Sequence, residues 1–291
     1  MRHQKRVAAI HDISGFGKCS LTVALPIISA AGIECSVMPT AVLSTHTGGF
    51  EGFTYRDLTG DLRPFADHWK LLNLTFDALY TGFLGSFEQL EIVSGIFDDF
   101  RTDDNLILVD PVMADNGALY KIFPSDFPLG MKKLCAKADI IIPNITEAAL
   151  LLEEPYREGP YTEGQIERVL KSLSDTGPAK VVLTGVFFDN NTLGAATYDR
   201  NSGRVGYAFS ERIPGYFHGT GDVFGSVLLS ALLNNFDLTE SAQIAVDFTT
   251  DSIRRTAASM TDIRFGVRFE DAIPGLLKRL GAFQTRRIAG E

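Results

Sequence analysis

Short runs of Val, Ile and Leu alternate along the chain with longer amphipathic stretches, the pattern of a mostly parallel sheet covered by helices on both faces. Strands are expected over 6–10, 35–42, 78–81, 106–110, 140–142 and 180–184. Several are unbroken apolar runs, as strands buried on both faces should be. Helices are expected over 19–31, 86–100, 145–153, 163–175, 222–235 and 239–258. The segment 194–209, with Asn201-Ser202-Gly203 between alternating flanks, predicts a hairpin. In HGTGDVFGSVLLSALL, residues 218–233, the apolar positions 224, 227, 228, 231 and 232 recur with helical spacing. Gly219, Thr220, Gly221 and Asp222 therefore stand at a helix entrance.

With 291 residues and 45% hydrophobic content, the chain can fill one large α/β domain or two modest ones. No repeat, low-complexity tract or Pro/Gly/Ser linker marks a boundary, so one domain over 1–291 is expected. The 36 acidic against 27 basic residues leave a net charge of -9, which argues against a nucleic-acid or anionic-membrane surface and for a small-molecule partner. Cys19, Cys35 and Cys135 are odd in number and far apart, without CxxC or paired-His spacing, so neither a disulfide framework nor a zinc site is suggested. A reducing cytoplasm fits. The basic start MRHQKRVAAIHD has an apolar run too short for a signal-peptide core, and no segment approaches the ~18 apolar residues of a membrane helix.

Ligands of an open parallel sheet bind beyond the carboxyl ends of its strands. That rule brings forward His11 and Asp12, Thr45 to Thr47, Gly82 and Phe83, Asp110, Asn144 with Glu147, and Thr184 with Gly185. The glycine-rich SGFGKCS, residues 14–20, is no Walker A loop, because Asp12 and Cys19 stand where Gly and Ser or Thr are needed. Nor is it a dinucleotide fingerprint, since Ser20 replaces the third glycine. Two glycines at a helix entrance suit an anion, because the first N–H groups are unpaired and no Cβ blocks approach. Asp222 beside them is either a cap, worth about 0.5–2 kcal/mol, or a base serving a group that attacks a bound phosphate. Asp110, before Pro111, is either a turn starter or a ligand for Mg²⁺, which binds few protein oxygens. Asn144 and Glu147 have capping-box spacing; the rival reading sets them against nucleotide phosphates, with Glu147 holding a metal-bound water. Asn116-Gly117 marks the bend of a loop that is a candidate lid. His46, in THTGG, reads first as a hydrogen-bonded structural group.

Taken in order, VAAIHDISGFGKCS, SVMPTAVLSTHTGG, DALYTGFLGS, LVDPVMADNGALY, IIIPNITEAALLL and GTGDVFGSVLL resemble the pyridoxal/pyridoxine/pyridoxamine kinases of the ribokinase-like superfamily, over nearly the whole chain. GTGD marks the superfamily, while STHT, TGFLGS and DPVM point to the vitamin B6 branch. The resemblance implies a single ribokinase-like domain that transfers the γ-phosphoryl group of ATP to the hydroxymethyl group on the pyridine ring. Mg²⁺ is implied as a cofactor, with a monovalent cation such as K⁺ allowed. The same resemblance assigns Gly219, Thr220 and Gly221 to the anion hole, Asp222 to the base, and Asp110 and Glu147 to metal and phosphates. It assigns Asn144, Thr184 and Gly185 to the nucleotide, and His46, Thr47, Gly48 and Phe83 to the substrate, with Phe83 facing the ring. Members are commonly homodimers, so a homodimer is implied as well.

Asp12 departs from the pattern, since many of these kinases carry Ser after the first strand. An acid facing a pyridine pocket is costly unless it meets a donor or a cation, which a protonated ring nitrogen or the ammonium of pyridoxamine would supply. The alternative is that Asp12 caps the following turn and never meets substrate. Among enzymes, the rival reading is a hydroxymethylpyrimidine kinase of the same fold; a ribokinase-type sugar kinase would carry a GGN-type signature near the N-terminus. From another class, a ligand-binding relative without catalysis remains, and Asp110, Glu147 and Asp222 together speak against it.

Overall fold

The computed structural model describes residues 4–259 and 262–281. The first three residues, the last ten and the pair 260–261, all inside the single-domain reading of 1–291, lie outside the described residues. The first apolar run forms β1 (Arg6–Ser14), and its side chains alternate between two cores, Val7 entering one and Ala8 and Ile10 the other. The same alternation recurs in β4 (Ala78–Thr81) and β5 (Leu106–Val109): Leu79, Ile107 and Val109 face one core, Ala78, Tyr80 and Leu108 the other. Burial on both faces is why these segments read as unbroken apolar runs.

The remaining strands of the main sheet are β2 (Glu34–Leu43), β3 (Tyr55–Asp57), β8 (Ile140–Ile141), β9 (Lys180–Val186), β10 (Thr192–Asp199) and β11 (Arg204–Glu211). They complete a nine-stranded sheet of order β11-β10-β9-β8-β5-β4-β1-β2-β3. The six strands from β9 to β2 are parallel, while β3 at one edge and the β10–β11 hairpin at the other pair antiparallel. Since β2 lies on one side of β1 and β4 on the other, strand order reverses at β1, the point beyond whose carboxyl end ligands of such sheets commonly bind. One face of the sheet carries α1 (Leu21–Ala30), α7 (Thr220–Leu233) and α8 (Leu238–Ala258); the other carries α2 (Thr59–Leu71), α3 (Phe87–Phe100), α4 (Phe127–Cys135), α5 (Ile145–Leu151) and α6 (Glu163–Asp175). A short α9 (Ile273–Arg279) packs by α8 through Leu276. This is the expected α/β architecture, with β3, α2, α4 and α9 as additions and β1 running on to Ser14.

The expected loop after β5 is a tight hairpin of β6 (Ala114–Asp115) and β7 (Ala118–Leu119). Asn116 and Gly117 turn it with φ of 50° and 78°, a pair of left-handed residues suited to a two-residue hairpin.

Gly225 lets α7 press onto the sheet: a Cβ there would collide with the Tyr80 hydroxyl and approach Ile142 Cδ1 to 2.8 Å. Tyr80 is fully buried and cannot yield cheaply. Gly225→Ala is therefore expected to destabilise the protein by about 1–3 kcal/mol. Thermal unfolding checks it, and an unchanged Tm would mean that the helix can lift without cost.

Candidate active site

α7 begins at Thr220, two residues before the start that its apolar spacing suggested. Gly219 is the N-cap, left-handed at φ 76°, and a Cβ there would collide with the Lys18 carbonyl oxygen. The 15–20 loop thus lies directly against the helix start. Asp222 falls in the first turn, where a carboxylate suits the helix dipole, but among the described residues no N–H of α7 donates to its side chain. Its side chain is 15% exposed. Burial, helped by the charge of Asp12, pushes its carboxyl up to about 7, against the Ser20 backbone N–H, which favours the charged form. Fully buried His11 places Nδ1 3.9 Å from Asp222 Oδ1. Burial lowers that imidazole to about 3, so the neighbour of Asp222 is neutral and supplies no counter-charge.

A cavity of about 540 Å³ opens in front of this helix start. It gathers Asp110, Asn144, Glu147, Thr184, Gly185 and the whole of Gly219 to Asp222, residues from the carboxyl ends of three strands, β5, β8 and β9, and the starts of two helices, α5 and α7. Its lining also includes the apolar Ile213, Phe217, Phe224, Val246 and Ile253. His218, Tyr120 and Tyr216 also line it and were not expected, although His218 directly precedes the glycines and Tyr120 closes the candidate lid.

Asn144 and Glu147 do form a capping box. Asn144 Oδ1 accepts from the Glu147 N–H at 2.9 Å, and Asn144 Nδ2 donates to the Ala114 carbonyl at 2.9 Å. Glu147 accepts from the N–H groups of Asn144 at 2.9 Å and Met113 at 3.1 Å. The Gly117 N–H donates to Thr146 Oγ1 at 3.0 Å, so the start of α5 tethers the β6–β7 hairpin. Glu147 is pushed up to about 8 by burial, despite those backbone donors. Asp110, 6% exposed, is raised by burial and then by the charges of Glu147 and Asp222.

These three carboxylates face a cation-poor pocket. Among the described residues no hydrogen bond or ion pair reaches the Asp110 carboxylate, so its oxygens are free for a ligand, and the mutual repulsion fits a bound cation. Also among the described residues, no cluster of three or more His, Cys, Asp or Glu side chains is set to hold a metal. A divalent ion here would draw most of its ligands from water and phosphate, as Mg²⁺ commonly does.

The folded pKa of each of these acids lies above its unfolded value, so the folded chain keeps those protons longer. Their stabilising contribution is complete below about pH 4 and is lost as pH rises through about 7 for Asp222 and about 8 for Glu147. In metal-free protein, Asp110→Asn should accordingly raise Tm near neutral pH and flatten its fall with pH. Glu147→Ala should lower Tm, because the buried Met113 N–H loses its acceptor at about 1–3 kcal/mol and the half-buried Asn144 N–H loses its own. Melting curves from pH 5 to 9 with chelator test both, and a fall in Tm for Asp110→Asn would contradict the repulsion.

The residues expected on the substrate side lie outside this cavity. His46 ties two loops together: Nε2–H donates to the Arg264 carbonyl at 2.6 Å and Nδ1 accepts from the Gly48 N–H at 3.0 Å. Its ring lies 4.9 Å from that of His218, centroid to centroid, and a Cβ on Gly48 would press on His218 at 2.5 Å. Thr47 is exposed. Phe83 is half-buried and packs 5.7 Å from Phe123. Asp12, 5% exposed, accepts from Ser20 Oγ at 2.5 Å and Ser14 Oγ at 3.0 Å. His46 and Gly48 lie against His218, which lines the cavity, and the 15–20 loop that Asp12 binds lies against Gly219 at the helix start.

The three cysteines are free. Among the described residues no helix is long and apolar enough to cross a membrane.

A protein of Bacteroides thetaiotaomicron VPI-5482 assigned to the phosphomethylpyrimidine kinases, crystallised in an orthorhombic form with pyridoxal, is 39% identical to this chain. The two superpose with a TM-score of 0.90 over 94% of this chain and 96% of the other. Pyridoxal kinase from Lactobacillus plantarum is 31% identical, with a TM-score of 0.87 over 96% of this chain and 99% of that one. The chloroplastic thiamine biosynthetic bifunctional enzyme TH1 of Arabidopsis thaliana is 26% identical over 79% of this chain, which spans only 42% of that longer protein. A family profile described as phosphomethylpyrimidine kinase matches residues 29–265. With that match and the ribokinase-like architecture around the Gly219–Asp222 helix start, the chain belongs to the phosphomethylpyrimidine kinase family.

Proposed function

We propose that this kinase transfers the γ-phosphoryl group of ATP to the hydroxymethyl group of a B6 vitamer, pyridoxal, pyridoxine or pyridoxamine. The observation that carries the reading is the place of Asp222, a carboxylate in the first turn of a helix whose glycine-bearing start lines the cavity and packs against the 15–20 loop. In the cavity, ATP sets its base among the apolar residues and its phosphates toward Asp110 and the start of α7. Backbone N–H groups of residues 219–222 receive the phosphoryl group as it moves, which places fixed dipoles where charge spreads. Asp222 accepts the hydroxyl proton, the oxygen forms its bond to the γ-phosphorus, and the bond to the β-phosphate oxygen breaks to release ADP. Asp110 would hold Mg²⁺ directly and Glu147 through water, and the ion would neutralise phosphate charge. Thr184, Gly185 and Asn144 would line the nucleotide, while His46, Thr47, Gly48 and Phe83 would form the acceptor side.

The pyridoxal found with the 39% identical bacterial protein supports a pyridine acceptor. The family description favours a second reading, phosphorylation of hydroxymethylpyrimidine or its phosphate. A competition assay with equal pyridoxal and hydroxymethylpyrimidine separates them by mass spectrometry of the products. Pyridoxal phosphate is expected to dominate; hydroxymethylpyrimidine phosphate as the main product would overturn the first reading in favour of the second.

A further inference from the structure

We infer that Asp12 is a positioning residue for the base, acting through Ser20 on the loop that seats the start of α7; the inference rests on the proposed role of Asp222. Pairing of β1 with β2 shifts register between His11 and Ile13, so Asp12 sits in a bulge that turns its side chain out of the ladder. The carboxylate does not reach the cavity. Both its oxygens instead take hydroxyl donors, Oδ1 from Ser20 and Oδ2 from Ser14. Ser20 holds φ 55° and ψ -133°, a backbone region that side chains other than glycine rarely occupy, and its hydroxyl makes no capping bond to α1. Such a conformation costs about 1–3 kcal/mol and persists only where the surroundings enforce it. The 2.5 Å bond from Ser20 Oγ to Asp12 is the side-chain contact that holds it there, beside a backbone bridge to Ile13 and the first N–H groups of α1 on its carbonyl.

The consequence reaches the proposed catalytic turn. Lys18 and Cys19 immediately precede Ser20, and they are the backbone on which Gly219 rests, with Cys19 Cα 3.7 Å from where a Gly219 Cβ would stand. Ser20 also turns its N–H toward Asp222, favouring the ionised form. Releasing Ser20 therefore shifts the shelf under Gly219 and the donor beside Asp222 together, without removing any group that touches substrate. Misplacement of this kind costs turnover more than binding.

The test is a double-mutant cycle on Asp12→Ala and Ser20→Ala, with Ser20→Gly as a rescue, read as kcat and KM on whichever acceptor the wild type phosphorylates. Each alanine variant should lower kcat by about 10- to 100-fold while the acceptor KM moves less than about threefold. The double variant should be no slower than Asp12→Ala alone, and Ser20→Gly, which adopts φ 55° freely, should keep most of the turnover that Ser20→Ala loses. Multiplicative losses in the double variant, or a rise in acceptor KM with kcat intact, would overturn the inference; the second result would make Asp12 a substrate contact. Backbone hydrogen exchange supplies a readout independent of activity: Asp12→Ala should speed exchange in 218–224 as well as in 15–22. Unchanged exchange in 218–224 would also sink the inference. Failure of the kinase reading looks different, as wild-type protein that turns over no acceptor, or full turnover by Asp222→Asn.

Discussion

Replacing Asp222 by Asn is expected to lower kcat by about 10²- to 10⁴-fold, the range of a lost general base, while the fold survives. The substitution keeps the size of the side chain and removes a charge that burial already disfavours, so Tm should hold or rise. Wild-type kcat/KM should fall on the acid side with a midpoint near the value of about 7 set by burial, because only the ionised carboxylate can accept the hydroxyl proton. That limb should vanish in the variant. Near-normal turnover by Asp222→Asn would reduce Asp222 to a passive residue of the first helical turn.

The second large effect is expected from Gly221→Ala. Gly221 is helical and exposed to the cavity, and the nearest atom to an added Cβ is Asp110 Oδ2 at 4.0 Å. Nothing in the fold resists the methyl group, and Ala is favoured over Gly within a helix by about 1 kcal/mol. Stability should therefore hold or increase. In the proposed mechanism the methyl group would nevertheless stand where the phosphoryl group approaches the backbone donors, and weakening one such donor set costs about 10²- to 10³-fold in kcat. Gly219→Ala offers no such separation, because it collides with Lys18 and loses its left-handed turn at once. Full activity in a stable Gly221→Ala protein would remove the anion role from this helix start.

The buried strands were legible because a strand covered on both faces must be apolar at every position, as Ile107 to Val109 are. α4 and α9 were missed because Pro128 with Gly130, and Pro274 with Gly275, read as loop punctuation; in the structure each proline occupies the first helical turn, where its missing N–H is harmless. α2 hides behind Gly60 and Pro64, the proline here lying inside the helix rather than in its first turn. The start of α7 was placed two residues late, since spacing reports only the buried face and Thr220 to Asp222 contribute no apolar side chain to it. The acidic rim of Asp110, Glu147 and Asp222 was readable from strand ends and a helix entrance. The partners of Asp12 were not, because they depend on a bulge fixed by register with β2, and nothing local in HDIS announces it. His11 beside Asp222 is likewise a product of topology, joining the end of β1 to the start of α7.

The central claim is phosphoryl transfer from ATP to a B6 vitamer with Asp222 as the base. The most direct test is ADP release with Mg²⁺ and ATP, measured as kcat/KM across pyridoxal, pyridoxine, pyridoxamine, hydroxymethylpyrimidine and ribose, for the wild type and for Asp222→Asn. The account predicts the highest values for one or more B6 vitamers, negligible release with ribose, and loss of the vitamer-dependent release in the variant. Release that is greatest with hydroxymethylpyrimidine, or that proceeds unchanged in Asp222→Asn, would contradict it.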